Sequence, residues 1–142
     1  NKGLTNNEGG PFGAVIVKNG KIITKGHNKV IKTNDPTSHA EINVIKEASK
    51  KLKRFDLSGC EIYSTCEPCP MCLSAIYWAK IKKVYYGCTR KDAEKIGFAD
   101  NFIYEALNEK SKGKRVKSVS IDRAESLVPF KKWEEKKDKV RY

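Results

Sequence analysis

"TCEPCPMCLSAIYW", Thr65 to Trp78, sets cysteines at positions 66, 69 and 72. A zinc ion usually takes four ligands in a tetrahedron, and one helix cannot surround it, so the stretch asks for a ligand elsewhere in the chain. Only two histidines are available, His27 and His39. His39 opens the segment 39–52, where Ile42, Ile45, Ala48 and Leu52 recur at helical spacing. Pro68 suits the first position of a second helix that carries Cys69 and Cys72 and runs on to residue 80. Two helix starts can thus converge on one ion. Residues three apart share a helical face, so Cys69 and Cys72 can grip it together. The partial positive charge of a helix N-terminus also lowers the cost of a thiolate. Cys66 falls before Pro68, on the strand side, where its sulfur needs a different direction.

One histidine and two cysteines leave a tetrahedral position open, and water in an open position separates a catalytic zinc from a structural one. Zinc makes such a water acidic near neutral pH, and the water then needs a proton acceptor beside it. Glu41, two residues past His39, is placed for that role. Plainer readings stand beside it. "SHAE" has the form of a capping box, with Ser38 as N-cap and Glu41 at the third helical position. The cysteines could be most of a four-cysteine structural site completed by Cys60 or Cys88. Jointly, however, H-x-E at one helix start and P-C-x-x-C at another match the signature of zinc nucleobase deaminases.

The composition narrows the class. With 142 residues and 39% hydrophobic content, the chain suits one domain with a real core and is short for two. It has neither a membrane-length apolar run nor a signal-peptide pattern, so a soluble, cytoplasmic protein with reduced thiols is expected. Five cysteines, three within seven positions, do not read as a disulfide framework. The net charge of +12, from 29 Lys+Arg against 17 Asp+Glu, raises nucleic-acid binding. The charge is mostly lysine and scattered, and its densest run, "NEKSKGKRVK" at 108–117, reads as a solvated loop. A lysine-rich surface is the preferred reading.

Asn19-Gly20, between two β-branched runs, predicts a hairpin of strands 13–17 and 21–25. "CEIYST" at 60–65, "KKVYYGC" at 82–88 and "VKSVSID" at 116–122 have strand composition. "FIYEAL" at 102–107 is a short helix, and 123–139 a helical tail interrupted at Pro129. Strands alternating with helices after a hairpin predict an α/β domain with a mixed, five-stranded sheet.

"GGPFGAVIV" (9–17), "NDPTSHAEINVI" (34–45), "CEPCPMCLSAIYWAKI" (66–81), "GFADNFIYEAL" (97–107) and "SLVPFKKW" (126–133) carry a resemblance that spans essentially the whole chain. The sequence resembles the cytidine deaminase-like superfamily, and within it the bacterial guanine deaminases. The zinc motif identifies only the superfamily; "GFADNFIY" and the aromatic C-terminus narrow it to guanine. The resemblance implies a three-layer α/β/α sandwich over residues 1–142, without the N-terminal helix that normally precedes "GGPFG". It makes His39, Cys69 and Cys72 the ligands of one Zn2+ per chain and Glu41 the proton shuttle. Related deaminases place Leu at the position of Cys66, which packs instead. Phe12, Asn28, Ala40, Glu67, Trp78, Asp100 and Tyr142 are the implied substrate contacts, Glu67 through its backbone. The implied reaction is hydrolytic deamination of guanine to xanthine and ammonia, in purine salvage and catabolism. In the family the C-terminal segment, here 123–142, crosses to the partner of a homodimer; the sequence alone is equally compatible with a tail folded back on its own subunit. A tRNA adenosine deaminase is the chief alternative, since it shares the zinc site and suits the basic charge. Cytosine, nucleoside or triazine deamination comes behind it. A non-catalytic zinc module binding nucleic acid is the third reading and needs a fourth protein ligand.

Overall fold

The computed structural model describes residues 2–108 and 116–140, the side chain of Lys2 excepted. Its elements run α1 (Lys2–Thr5), β1 (Gly13–Lys18), β2 (Lys21–His27), α2 (Val30–Thr33), α3 (Ala40–Leu52), β3 (Cys60–Cys66), α4 (Pro70–Trp78), β4 (Lys83–Cys88), α5 (Arg90–Lys95), α6 (Asn101–Leu107) and α7 (Arg123–Glu135). The sheet has four strands in the order β2-β1-β3-β4. β1 pairs antiparallel with both β2 and β3, and β3 pairs parallel with β4, so the sheet is mixed as expected.

The hairpin forms where Asn19-Gly20 predicts it. Both residues take positive φ, 49° and 72°, as a two-residue turn matched to strand twist requires. Alternation along β3 then decides the layers. Cys60, Ile62, Ser64 and Cys66 point into the core, against α3 and α4, while Tyr63 lies on the opposite face. There its ring stacks on Tyr85 of β4, with centroids 4.6 Å apart, and both rings are exposed. Ile16, Val44, Leu57, Ile62 and Ile76 are the largest apolar side chains of the core to be fully buried, tying β1, α3, β3 and α4 together. Val44, rather than Ile42, lies on the buried stripe of α3 with Glu41 and Ala48, and Ile45 and Leu52 pack at its margin.

Three expectations are corrected. The expected fifth strand, 116–122, is not part of the sheet: a strand is defined by a hydrogen-bonded ladder, and Val116, Val119 and Ile121 are all exposed beside no partner strand. Pro129 does not interrupt the tail helix but sits inside α7; a proline removes one ladder bond and leaves the turns on either side intact. The first residue of α4 is Pro70, not Pro68, and Cys69 is the N-cap. The missing N–H of a proline costs nothing at that first position.

Candidate active site

The hydrophobic stripe of α3 and the Pro70 start of α4 bring two helix N-termini together. His39 is the N-cap of α3, Cys69 the N-cap of α4, and Cys72 lies in the first turn of α4. His39 Nδ1 is 3.5 Å from Cys69 Sγ and 3.5 Å from Cys72 Sγ. A tetrahedral zinc with Zn–S of about 2.3 Å and Zn–N of about 2.0–2.1 Å has an S···N edge of about 3.5 Å, so the three atoms already stand at the corners that such an ion needs. Among the described residues these three form the one His/Cys/Asp/Glu group with metal-binding geometry. Its electrostatics fit a cation too. The hydrogen bond from Cys72 pulls the Cys69 thiol down to about 4, and the same contact, with burial, pushes Cys72 up. The Cys69 hydrogen bond raises the His39 imidazole above its usual value. One sulfur of the pair is thus a thiolate at neutral pH, a charge that a divalent ion neutralises.

Glu41 settles between its two readings. The N-cap of α3 is His39 rather than Ser38, and no side chain caps that helix. Ser38 instead turns its hydroxyl to Asn43 Oδ1. Glu41 is buried and points inward, where Oε1 accepts from Ser64 Oγ at 2.8 Å and Oε2 lies 3.5 Å from Cys72 Sγ. The capping box is therefore absent here, and the carboxylate faces the His39, Cys69 and Cys72 cluster.

The remaining cysteines lie outside the cluster. Cys66, at the end of β3, is buried, lies 3.6 Å from Thr89 O and has its thiol pushed up by burial. Cys60 is at the opposite end of β3 and Cys88 is exposed on β4, so neither completes a four-cysteine site. His27 is engaged elsewhere, 2.5 Å from Glu8.

His39, Glu41 and Cys69 lie on the wall of a cavity of about 660 Å3 that also takes in Phe12, Asn28, Glu67 and Asp100. Asn28 is buried; its Oδ1 accepts from Val30 N at 3.1 Å, which leaves the amide nitrogen for a ligand. The Glu67 carboxylate accepts from the Arg90 amide at 3.1 Å. Burial, and then the nearby Cys69 thiolate, raise the Asp100 carboxyl above its usual range. Ala40 is fully buried in the first turn of α3. Trp78 is at the far end of α4, 68% exposed, and does not line the cavity of its own chain. Tyr142 lies outside the described residues.

Three contributors escape the sequence reading. Phe98 meets Phe12 edge to face at 5.0 Å and forms the cavity wall with it. Arg90 also lines the cavity, its guanidinium 4.7 Å from the centroid of the Tyr104 ring. Ser64, which holds Glu41, is legible only through strand parity, because it shares the buried face of β3 with Ile62 and Cys66.

Residues 1–88 match the family described as the cytidine and deoxycytidylate deaminase zinc-binding region. The chain belongs to that deaminase family. Among its relatives, guanine deaminase from Bacillus subtilis (strain 168) is 44% identical over 141 residues, covering 99% of this chain and 90% of the relative. The crystal structure of the B. subtilis guanine deaminase superposes with a TM-score of 0.93 over 99% of this chain and 90% of that one. A tRNA-specific adenosine deaminase from Aquifex aeolicus is 49% identical, but over 81 residues only, 57% of this chain and 54% of the relative. The zinc of this family fits the His39, Cys69 and Cys72 cluster. Among the described residues no helix is long and apolar enough to cross a membrane.

Proposed function

We propose that this deaminase converts guanine and water to xanthine and ammonia, with one zinc ion per chain. The observation that carries the reading is Glu41, buried at 5% exposure, held by Ser64 and turned to the His39, Cys69 and Cys72 cluster at the cavity wall. Near full-length similarity to a guanine deaminase supports the choice of base. When bound, zinc supplies an acidified water as the nucleophile. Glu41 would accept a proton from the attacking water as the water oxygen bonds to C2, and would deliver that proton to N3. It then carries the second proton to the amino group, which departs as ammonia and leaves a carbonyl at C2. Asn28 donates its free amide to an acceptor on the purine edge. Asp100 accepts from N1–H and the 2-amino group, while Phe12 and Phe98 exclude water from the ring face.

The chain acts as a homodimer in this reading, with residues 123–142 crossing to the partner. Support comes from α7, which has no buried residue and exposes Val128, Phe130 and Trp133, and from β4, which ends the sheet with an open side. Residues 116–122 then supply the partner's fifth strand. Tyr142, at the end of that segment, serves the partner's cavity in this reading.

Ammonia release from guanine by the purified, zinc-loaded protein tests the substrate. Turnover of guanine, with no inosine formed in tRNA, is expected. Inosine in tRNA without guanine turnover would move the assignment to the tRNA deaminases.

A further inference from the structure

We propose that Glu8 is a positioning residue for the site, holding Asn28 in the orientation that presents its amide nitrogen to the base. The inference rests on the reading of Asn28 as a substrate contact. Glu8 spends both carboxylate oxygens on the residues that bracket Asn28: Oε2 is 2.5 Å from His27 Nε2, and Oε1 accepts from Lys32 Nζ at 2.7 Å. Its carbonyl accepts from the amides of Ile31 and Lys32, at 3.1 and 3.0 Å. Four contacts from one residue therefore tie the loop before β1 to the end of β2 and to α2. The Lys32 contact, followed by that of His27, holds the Glu8 carboxyl at about 2, so the clamp stays charged at any pH where the enzyme works.

Asn28 sits inside this clamp. Its own amide donates to Phe12 O at 3.0 Å, and Lys29 N donates to Ser38 O at 2.9 Å, which fixes the backbone on both sides of its Cα. Its side chain is fixed from below by Gly9, the residue after Glu8. A Cβ built on Gly9 would come 2.1 Å from Asn28 Oδ1, so only a glycine backbone fits beneath that oxygen. The Gly9 backbone packs closely against Asn28, side-chain oxygen and carbonyl alike, and the contacts of the adjacent Glu8 anchor that loop. Glu8, Gly9, Asn28 and Lys32 all lie outside the core around Ile16, Val44 and Ile62, so loss of the clamp loosens the loop without opening the fold.

The test compares Glu8→Gln and Glu8→Ala with the wild-type full chain, each alone and combined with Asn28→Ala. The first readout needs no substrate: the Asn28 side-chain NH2 pair in a 15N correlation spectrum, identified by its disappearance in Asn28→Ala. It is expected to shift and broaden in Glu8→Ala and less so in Glu8→Gln, while resonances of the core stay in place. The second readout is kinetic. KM for guanine is expected to rise about tenfold in Glu8→Ala, the scale of one charge-assisted contact, with kcat within about threefold and zinc content unchanged. In the Asn28→Ala background the same Glu8 change should leave KM, or the dissociation constant of xanthine, nearly unaltered. An unmoved NH2 pair in Glu8→Ala overturns the proposal, as does a Glu8 penalty of equal size in both backgrounds. If Glu8→Ala does not fold, Glu8→Gln and Lys32→Met carry the same two readouts. If guanine is not turned over, the substrate assignment fails, and the NH2 pair still decides the role of Glu8.

Discussion

Glu41 illustrates how one side chain can satisfy two local rules and obey only one. At the second position of α3 it could have stayed at the surface beside the free amides of the helix start, where a carboxylate contributes about 0.3–1 kcal/mol. It turns inward instead because β3 offers Ser64 Oγ at 2.8 Å on the buried face of the sheet. Glu41→Gln keeps nearly the same shape and can still accept from Ser64, but it cannot carry a proton. Thermal stability and zinc content should change little, while kcat for deamination falls by at least the roughly 100- to 10,000-fold that general acid–base catalysis supplies. Steady-state ammonia release alongside metal analysis and a melting curve checks this. Near-normal turnover would remove Glu41 from the chemistry. The grouping of His39, Cys69 and Cys72, with Glu41 beside them, was legible in the sequence because each sits at a helix start, where type and spacing restrict direction. Ser64 and Phe98 were not, since a serine on a strand and a phenylalanine in a loop have no such local constraint. Their roles come from contacts to residues 23 and 86 positions away, Glu41 and Phe12.

At the level of elements, legibility tracked periodicity. The hairpin, α3 and β3 have enough residues for a pattern to show, and turn chemistry or helical spacing marks them. α2 and α5, of 4 and 6 residues, are too short for a stripe and exist through their ends. In α5 the end is a capping box: Thr89 N and Oγ1 donate to Asp92 Oδ2 at 3.0 and 2.7 Å, and Asp92 N donates back to Thr89 Oγ1. The hydroxyl and amide of Thr89, with Lys95 beside them, hold the Asp92 carboxyl down to about 2. Because the folded value is depressed, the stabilisation is full above the unfolded value near 3.9 and is lost as pH falls through about 2. α5 leads directly to Phe98 and Asp100, so the cap also supports the cavity wall. In Asp92→Ala the urea midpoint should be lower at neutral pH and should fall less steeply between about pH 4 and pH 2 than in the wild type. Parallel curves for the two proteins would mean that Asp92 does not titrate with folding. The expected fifth strand was the element misread, because 116–122 has the composition of a strand yet pairs with none of the four strands of the sheet.

The whole molecule makes the location of each lesion informative. Asp100 lines the same cavity as its own chain's His39 and Glu41, whereas α7 leads away from the core. Mixing Glu41→Gln chains with Asp100→Ala chains should therefore restore nothing, since every site in a heterodimer keeps one lesion. Mixing Glu41→Gln with Tyr142→Ala should behave differently if the tail crosses over, because one composite site per heterodimer has both native residues. Recovery of about a quarter of wild-type activity is expected after random subunit exchange. Exchange verified by mass spectrometry, with no recovery in the second mixture, would assign the tail to its own subunit.

That arrangement has a consequence for how the protein comes into being. β4 ends the sheet with Tyr85 and Tyr86 exposed, one residue after Lys82 and Lys83. An uncapped strand recruits any extended polypeptide that reaches it, and lysine is a common guard against the wrong one. If copies pair through that edge as proposed, the surplus of positive charge gains a purpose in time rather than in catalysis. It then keeps newly made copies apart until the crossing segment arrives, and maturation becomes a bimolecular event whose pace follows the concentration of the chain itself.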